Sequence, residues 1–353
     1  MRLLLLPGDG IGPEIAAATL AVLRAATAEF GLQLDIEEDV VGHDSLRRYG
    51  TTVRPELLNR ARAADGLILG PAATFDFLNP EKGEINPSMF FRKKLDLYAN
   101  IRPSRTYPGL TQKLGPFDLV IARENTEGFY ADRNMAQGNA EMLVTEDVAI
   151  SLRRVTRPAC ARIARTAFEL ASARKKHVTA VHKANVLKLG DGMFLDECRK
   201  CAQSFPAIAM DELIVDAAMA HLVRNPAQFD VIVTTNMFGD IISDLTAEAS
   251  GSIGLGGSLN AGADYAMAQA SHGSAPDIAG KNVANPFSLI LSAALLFGWL
   301  GRHKGEAVFI EAAAAIERGI EEAIAAGEIT RDIGGRLGTR EAGAALAARL
   351  QMA

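Results

Sequence analysis

Cysteine is scarce: Cys160, Cys198 and Cys201 are the only three in 353 residues. An odd, sparse set in a long chain is no disulfide framework, and a reducing compartment is the default. Positive charge is not in excess either, since 37 Lys+Arg stand against 42 Asp+Glu for a formal charge of −5. The longest basic cluster is Arg174-Lys175-Lys176-His177, too short to offer a phosphate backbone a positive field, so nucleic acid is not an expected partner. Long apolar runs are missing as well. Leu3 to Leu6 is too short for the apolar core of a signal peptide, and Phe287 to Leu300, broken by Ser288, Ser292 and Gly298, falls short of a membrane span. A cytoplasmic protein is expected. Internal repeats, low-complexity tracts and Pro/Ser-rich linkers are absent too, so composition places no domain boundary.

What is present is an ordinary globular mixture, 48% hydrophobic and 22% charged. At roughly 150 residues per domain the length suggests about two domains. Short apolar strands alternate with amphipathic helices, the pattern of a mostly parallel α/β architecture. Leu3 to Leu6 reads as a buried strand. Pro13 then suits a first helical position, and Ile15, Thr19, Val22, Leu23, Ala26 and Phe30 follow at helical spacing before Gly31. Leu32, Leu34 and Ile36 alternate as a strand; residues 67–69, 119–121, 178–181 and 231–233 are further strand cores.

Three patterns carry chemistry. Gly8-Asp9-Gly10-Ile11-Gly12 lies between a strand and a helix, but G-x-G-x-G is not the G-x-G-x-x-G of a dinucleotide fingerprint, and no closing acidic residue stands at the expected distance. It reads as a tight turn, either purely structural or beside a ligand. Asn236 to Asp244 follows a strand and places Asp240 and Asp244 four residues apart, on one helix face. Such carboxylates repel unless a cation lies between them. Mg²⁺ or Mn²⁺ suits hard oxygen ligands, and Asp216 could add a third; the alternative is a solvated helix face. Arg92, Arg102 and Arg123 occur at or after apolar segments, where guanidinium groups could hold a di- or tricarboxylate if they converge. Cys198-x-x-Cys201 sits in a helix-like stretch with no second Cys/His pair, and His182 and His221 lack metal spacing, so all four read as structural.

These residues belong to a larger pattern. Gly8 to Glu14, Arg92 to Pro103, Arg123 to Tyr130, His182-Lys183-Ala184-Asn185, Val215-Asp216, Asn236 to Asp244 and His272 to Gly280 together resemble the β-decarboxylating dehydrogenases: the isopropylmalate, isocitrate, homoisocitrate and tartrate/D-malate dehydrogenase family. The resemblance covers nearly the whole chain. It implies an isopropylmalate dehydrogenase-like two-domain α/β fold with mostly parallel sheets, not a Rossmann fold. Residues 1–98 with 251–353 would form the large cofactor-binding domain, and 99–250 the smaller domain with the dimer interface. The cleft between them would hold the site.

The same resemblance makes Arg92, Arg102 and Arg123 the substrate clamp, and Asp240 and Asp244 metal ligands. Asp216, a further ligand, and Lys183 would come from the neighbouring subunit, so the active site would need a homodimer. Lys183 would act as base on the substrate hydroxyl and Tyr130 would protonate the enolate left by decarboxylation. Cofactor binding falls to Ile11, His272, Gly273, Ser274, Ala275, Asp277 and Asn285. Asp277 stands where NADP-dependent members tend to carry Lys; a carboxylate accepts ribose hydroxyls but repels a 2′-phosphate, so NAD is expected. Asn285-Pro286 also reads as a helix N-cap and first-turn pair.

Substrate identity should lie just before Arg92. Isopropylmalate enzymes offer leucines there, whereas isocitrate enzymes offer Ser and Asn; this chain has Asn86 and Ser88, in reversed order, among bulky apolar residues. Asn86-Pro87 is also an N-cap pair. Glu124-Asn-Thr-Glu127 resembles the isocitrate, homoisocitrate and tartrate branches. The expectation is NAD-dependent, Mg²⁺- or Mn²⁺-dependent oxidative decarboxylation of a 3-substituted (2R)-malate-type acid, leaning to isocitrate or homoisocitrate. 3-Isopropylmalate and tartrate/D-malate are the alternatives, and a noncatalytic regulatory subunit is the rival of another class.

Overall fold

The computed structural model describes residues 1–130 and 140–351. Strand β1 (Arg2–Leu6) leads through the glycine turn into α1 (Gly12–Glu29), whose first turn holds Pro13. Next come β2 (Asp35–Glu38), α2 (His43–Tyr49), α3 (Glu56–Ala63), β3 (Gly66–Leu69), α4 (Pro87–Lys94), β4 (Ala99–Arg105) and β5 (Asp118–Glu124). A two-stranded arm, β6 (Glu141–Thr145) and β7 (Val148–Ser151), precedes α5 (Arg157–Ser172), β8 (His177–His182), α6 (Gly190–Gln203), β9 (Ala209–Ile214), α7 (Val215–Arg224), β10 (Val231–Thr234) and α8 (Asn236–Ala249). The chain closes with β11 (Leu259–Ala261), β12 (Ala266–Gln269), α9 (Phe287–Lys304), α10 (Ala307–Ala325) and α11 (Thr339–Leu350).

Ten strands form one sheet in the order β2-β1-β3-β12-β11-β4-β5-β10-β8-β9. The outer pairings are parallel; only the three central ones, β12 with β11, β11 with β4 and β4 with β5, are antiparallel. This is the expected mixed α/β sheet with mostly parallel strands, and its order is not that of the Rossmann fold. Strands buried on both faces need continuous apolar sequence, which Leu3 to Leu6 and Leu67-Ile68-Leu69 supply at 0–1% exposure.

Four apolar clusters fill the two faces. Two draw wholly on buried residues between Ala99 and Ile242. A third joins buried residues of β1, β3 and α4 to Met267, and the largest packs α1 against α9, α10 and α11. Helix α9 is the apolar stretch noted in the sequence, and it is buried core. Among the described residues no helix is long and apolar enough to cross a membrane.

Two expectations need correction. The strand after Gly31 starts at Asp35, not Leu32: Leu32 N donates to Thr27 O, still closing α1, and pairing begins where Arg2 faces Asp35. Leu32 is buried in the core instead of alternating along a strand. The Asn285-Pro286 cap lies one residue later than read, because α9 begins at Phe287 and Asn285 Oδ1 accepts from Phe287 N at 2.9 Å.

Candidate active site

Period-two alternation along β4 sends Asn100, Arg102 and Ser104 to one sheet face. Arg123 lies opposite Asn100 on β5 and meets the same helix, α8. That helix follows β10 directly, and its one-turn spacing brings Asp240 and Asp244 over the two arginines. Arg102 donates from Nη1 to Ser243 Oγ (2.7 Å) and Asp244 Oδ1 (3.1 Å), while its Nη2 lies 3.5 Å from Asp240. Arg123 donates from Nε and Nη2 to Asn236 Oδ1 at 3.0 and 2.7 Å and from Nη1 to the Asp240 carboxylate. The helix can lie this close because residue 239 is glycine; a Cβ there would stand 2.6 Å from Arg123 Cγ. Tyr130 Oη reaches Asp240 Oδ2 at 3.5 Å. Burial pushes the Asp244 carboxyl up, and Arg102 opposes that shift.

The third expected arginine enters from another element. Arg92, buried in α4, donates to Gln269 Oε1 at 2.8 Å, and Gln269 Nε2 donates to Ser88 Oγ at 2.5 Å. Asn86 is engaged differently: its Oδ1 accepts from Met89 N at 3.1 Å, capping α4. Of the two polar residues before Arg92, Ser88 therefore faces the arginine network while Asn86 serves the helix.

Lys183 follows β8 and Asp216 opens α7, and the two pair at 2.5 and 2.6 Å. The Lys183 ammonium holds the Asp216 carboxyl below its ordinary range. Within one chain Asp216 does not join Asp240 and Asp244, for among the described residues no three His, Cys, Asp or Glu side chains cluster as a metal site.

The residues expected to bind a cofactor form a second constellation. Gly10, at φ +58°, lies so close to the 272–285 loop that a Cβ would meet Ser274 O at 1.9 Å, and Ile11 N donates to that oxygen at 2.9 Å. The G-x-G-x-G turn is thus a close backbone junction with the loop that carries His272, Gly273, Ser274, Ala275 and Asp277. Asp277 is exposed. His272 contacts Gly273 O through Nδ1 at 3.1 Å, while its buried Nε2 has no hydrogen-bond partner among the described residues. Burial pushes its imidazole below the ordinary value. Asn285, besides accepting from Phe287 N, donates from Nδ2 to Asp332 at 3.0 Å.

Sequence reading missed Gln269, Asp332 and Asp9, the last accepting from His43 N and Ala73 N at 2.8 and 3.0 Å. A polar residue ending the short apolar strand Ala266–Gln269 was the available signal for Gln269. No local pattern marks Asp332. Of the residues read as structural, His182 Nδ1 accepts from Ala184 N at 3.0 Å, His221 lies 3.4 Å from Gln228, and the three thiols are free.

Comparison with known proteins agrees with this arrangement. The family model for isocitrate/isopropylmalate dehydrogenase matches residues 2–346. The chain is 38% identical to a 3-isopropylmalate dehydrogenase of Archaeoglobus fulgidus, with 96% of each chain covered. It is 39% identical to an isocitrate/homoisocitrate dehydrogenase of Thermus thermophilus, over 95% of this chain and 94% of that one. Against the mitochondrial isocitrate dehydrogenase [NAD] catalytic subunit 5 of Arabidopsis thaliana the figures are 41%, 96% and 85%. Among solved structures, isocitrate dehydrogenase from Methylococcus capsulatus superposes with a TM-score of 0.88 at 38% identity, covering 99% of both chains. The chain belongs to the isocitrate/isopropylmalate dehydrogenase family, whose members are decarboxylating oxidoreductases that act on small carboxylate substrates with NAD or NADP and a divalent cation.

Proposed function

We propose that the chain oxidises and decarboxylates a 3-substituted (2R)-malate-type acid with NAD⁺ and Mg²⁺ or Mn²⁺, and that the C3 substituent is polar, as in isocitrate or homoisocitrate. The observation carrying the reaction type is the convergence of Arg102 and Arg123 on Asp240 and Asp244. The polar lean rests on the Ser88–Gln269–Arg92 chain of hydrogen bonds, which supplies donors where a branched alkyl group would need an apolar wall. 3-Isopropylmalate is the second reading, favoured by the partly buried apolar Ile85 and Phe90 around Ser88.

The donor sets fit both groups. Asp240 and Asp244 present hard oxygens one helical turn apart with side chains 36% and 53% exposed, and the unpartnered Nε2 of His272 beside the Gly10–Ser274 junction offers a polar atom to a cofactor. When bound, the cation would polarise the substrate's C2 oxygen and NAD⁺ would accept the C2 hydride. Arg92, Arg102 and Arg123 hold the substrate carboxylates and so fix the orientation of the reacting carbon. Lys183 takes the C2 hydroxyl proton, directly or through water. Tyr130 returns a proton to the carbon from which CO₂ has left. The exposed carboxylate of Asp277 accepts from ribose hydroxyls and repels a 2′-phosphate, the basis for NAD over NADP.

In this reading Lys183 and Asp216 act in the partner's cleft within a homodimer. Support comes from Asp216 not clustering with Asp240 and Asp244 among the described residues and from the apolar exposure of the β6–β7 arm, where Leu143 is 70% and Val144 53% exposed. The division into 1–98 with 251–353 and 99–250 is supported by the two clusters drawn wholly from the middle segment. A cytoplasmic location suits the three free thiols.

The deciding experiment follows reduced cofactor spectrophotometrically with isocitrate, homoisocitrate, 3-isopropylmalate, (2R)-malate and D-tartrate, each with NAD⁺ or NADP⁺, and with Mg²⁺, Mn²⁺ or chelator. Highest kcat/KM for isocitrate or homoisocitrate with NAD⁺ is expected. Turnover undiminished by chelator would sink the mechanism, and no turnover of any acid would favour the regulatory-subunit rival.

A further inference from the structure

The strands that carry the arginines have a second face. On β4 the residues between Asn100, Arg102 and Ser104 are Ile101, Pro103 and Arg105, and these line a groove of ≈790 Å³ on the side of the sheet away from α8. One wall comes from β5 and α5, the other from β11, α9 and α10. Its lining is mainly apolar, with Leu255, Leu259, Leu291, Leu295, Tyr98 and Trp299. That volume lies within the range of about 300–1,000 Å³ usual for small-molecule sites.

Four arginines border this groove. Three are neutralised: Arg105 by Glu321 at 2.6 Å, Arg165 by Glu169 at 3.5 Å and Arg174 by Asp118 at 2.7 Å. The fourth, Arg302 on α9, has no ion pair or hydrogen bond among the described residues. Its guanidinium folds back over Gly298, with Nη1 3.4 Å from where a Cβ would stand, and loses enough solvent there for its charged form to be disfavoured. One turn away, the Trp299 and His303 rings stack at 3.7 Å. An unmatched guanidinium at the edge of an apolar, aromatic-walled groove is complementary to one kind of molecule: a hydrocarbon body ending in a carboxylate.

We propose that this groove is a second ligand site, separate from the arginine–carboxylate cluster, for a small amphipathic carboxylate whose head group meets Arg302 and whose apolar body lies against Leu291, Leu295 and Trp299. The site is also placed to modulate the first one. Its two walls join at the β11–β4 pairing, Leu259 facing Ile101 and Asn260 facing Asn100, and the same β4 carries Arg102 on the opposite face. A molecule wedged between the walls biases their spacing, and the spacing of the opposite cleft with it.

The protein supplies its own reporter, because Trp299 is the only tryptophan. Titration of the full chain with sodium octanoate, followed by Trp299 emission and by isothermal titration calorimetry, should show saturable binding of one molecule per chain. Arg302→Gln, a surface substitution that should leave the melting temperature unchanged, should weaken octanoate binding at least about tenfold, the loss of one charge-assisted pair. Octan-1-ol should lose the same factor against the wild-type chain. Arg102→Gln should retain octanoate binding, which separates this groove from the active site and makes the result independent of the catalytic reading. Absence of saturable binding, equal binding by octanol, or loss of binding in Arg102→Gln with retention in Arg302→Gln would overturn the proposal.

Discussion

The Arg102 guanidinium lies 3.1 Å from the Asp244 carboxylate, and its other terminal nitrogen lies 3.5 Å from Asp240. The carboxylates read as cation ligands are therefore also the partners of an arginine read as a substrate clamp. These roles compete electrostatically, and the competition can be measured. Asp244→Asn should raise the Kd for Mn²⁺ by about tenfold or more and lower kcat/KM in step. Arg102→Gln should bind Mn²⁺ no more weakly than the wild type while KM for the substrate rises about 10–100-fold, the loss of a charge-assisted contact. Paramagnetic resonance of free Mn²⁺ reads the first quantity. Weaker Mn²⁺ binding by Arg102→Gln would show that the guanidinium positions the carboxylates instead of competing for them.

Gln269 holds both Ser88 and Arg92, so its removal should alter which substrate is preferred as well as how well any is used. Gln269→Ala leaves a buried arginine N–H without its acceptor, a loss of about 1–3 kcal/mol in stability. The ratio of kcat/KM between isocitrate and 3-isopropylmalate should move by about 10–200-fold. An equal fall for both acids would reduce the residue to a structural role.

If Lys183 and Asp216 serve the partner's cleft, two dead enzymes should make a live one. Lys183→Ala and Asp240→Asn homodimers should each be inactive, and subunits mixed through a denaturation–refolding step should recover about a quarter of wild-type activity, since half the dimers are mixed and each has one intact site. No recovery, with dimers demonstrated by light scattering, would place both residues in their own chain's cleft.

His182 is buried, and its Nδ1 is a hydrogen-bond acceptor from Ala184 N. Burial pushes its pKa below the ordinary value of 6.5, with Glu212 and Asp191 opposing and Arg199 assisting. Above 6.5 neither the folded nor the unfolded form binds the proton, so this site leaves stability flat. As pH falls below that value the unfolded chain takes up a proton that the folded chain refuses, and stability declines until the lower folded pKa is reached. Urea midpoints should therefore drop between pH 7.5 and 5.5, and His182→Gln should lessen the drop. An unchanged slope would assign the acid sensitivity elsewhere, His272 being the next group displaced in the same direction.

The Cys198-x-x-Cys201 pair should be chemically quiet. Cys198 is fully buried, and burial raises all three thiols, Cys160 to about 12. Thiolates are the reactive form, so Ellman's reagent at neutral pH should label the native protein slowly, at the half-buried Cys201, and all three sites after denaturation. Rapid labelling of Cys198 in the native state would revive a redox or metal role.

Local features were readable because their causes are local. Pro13 after a strand and glycine turn, Asn86-Pro87 as a cap, and the i, i+4 spacing of Asp240 and Asp244 each depend on a few neighbouring residues, and each appears in the structure as expected. The strand after Gly31 misled because alternation of Leu32, Leu34 and Ile36 is also what a loop feeding apolar side chains into the core displays. Pairing with β1, which decides strand from loop there, depends on a partner more than thirty residues away.

By itself the sequence determined the class of the molecule: apolar strands alternating with amphipathic helices, and arginine and aspartate motifs in the order of one enzyme family. Only the tertiary structure decided which groups meet. Parallel strands are joined by long crossovers, so no spacing along the chain could tell that Gln269 would bridge Ser88 and Arg92, that Asn285 would reach Asp332, or that Arg102 would lie against Asp244. Nor could it tell that alternation along β4 would build two opposed sites, because a strand's two faces acquire different chemistry only when different helices cover them.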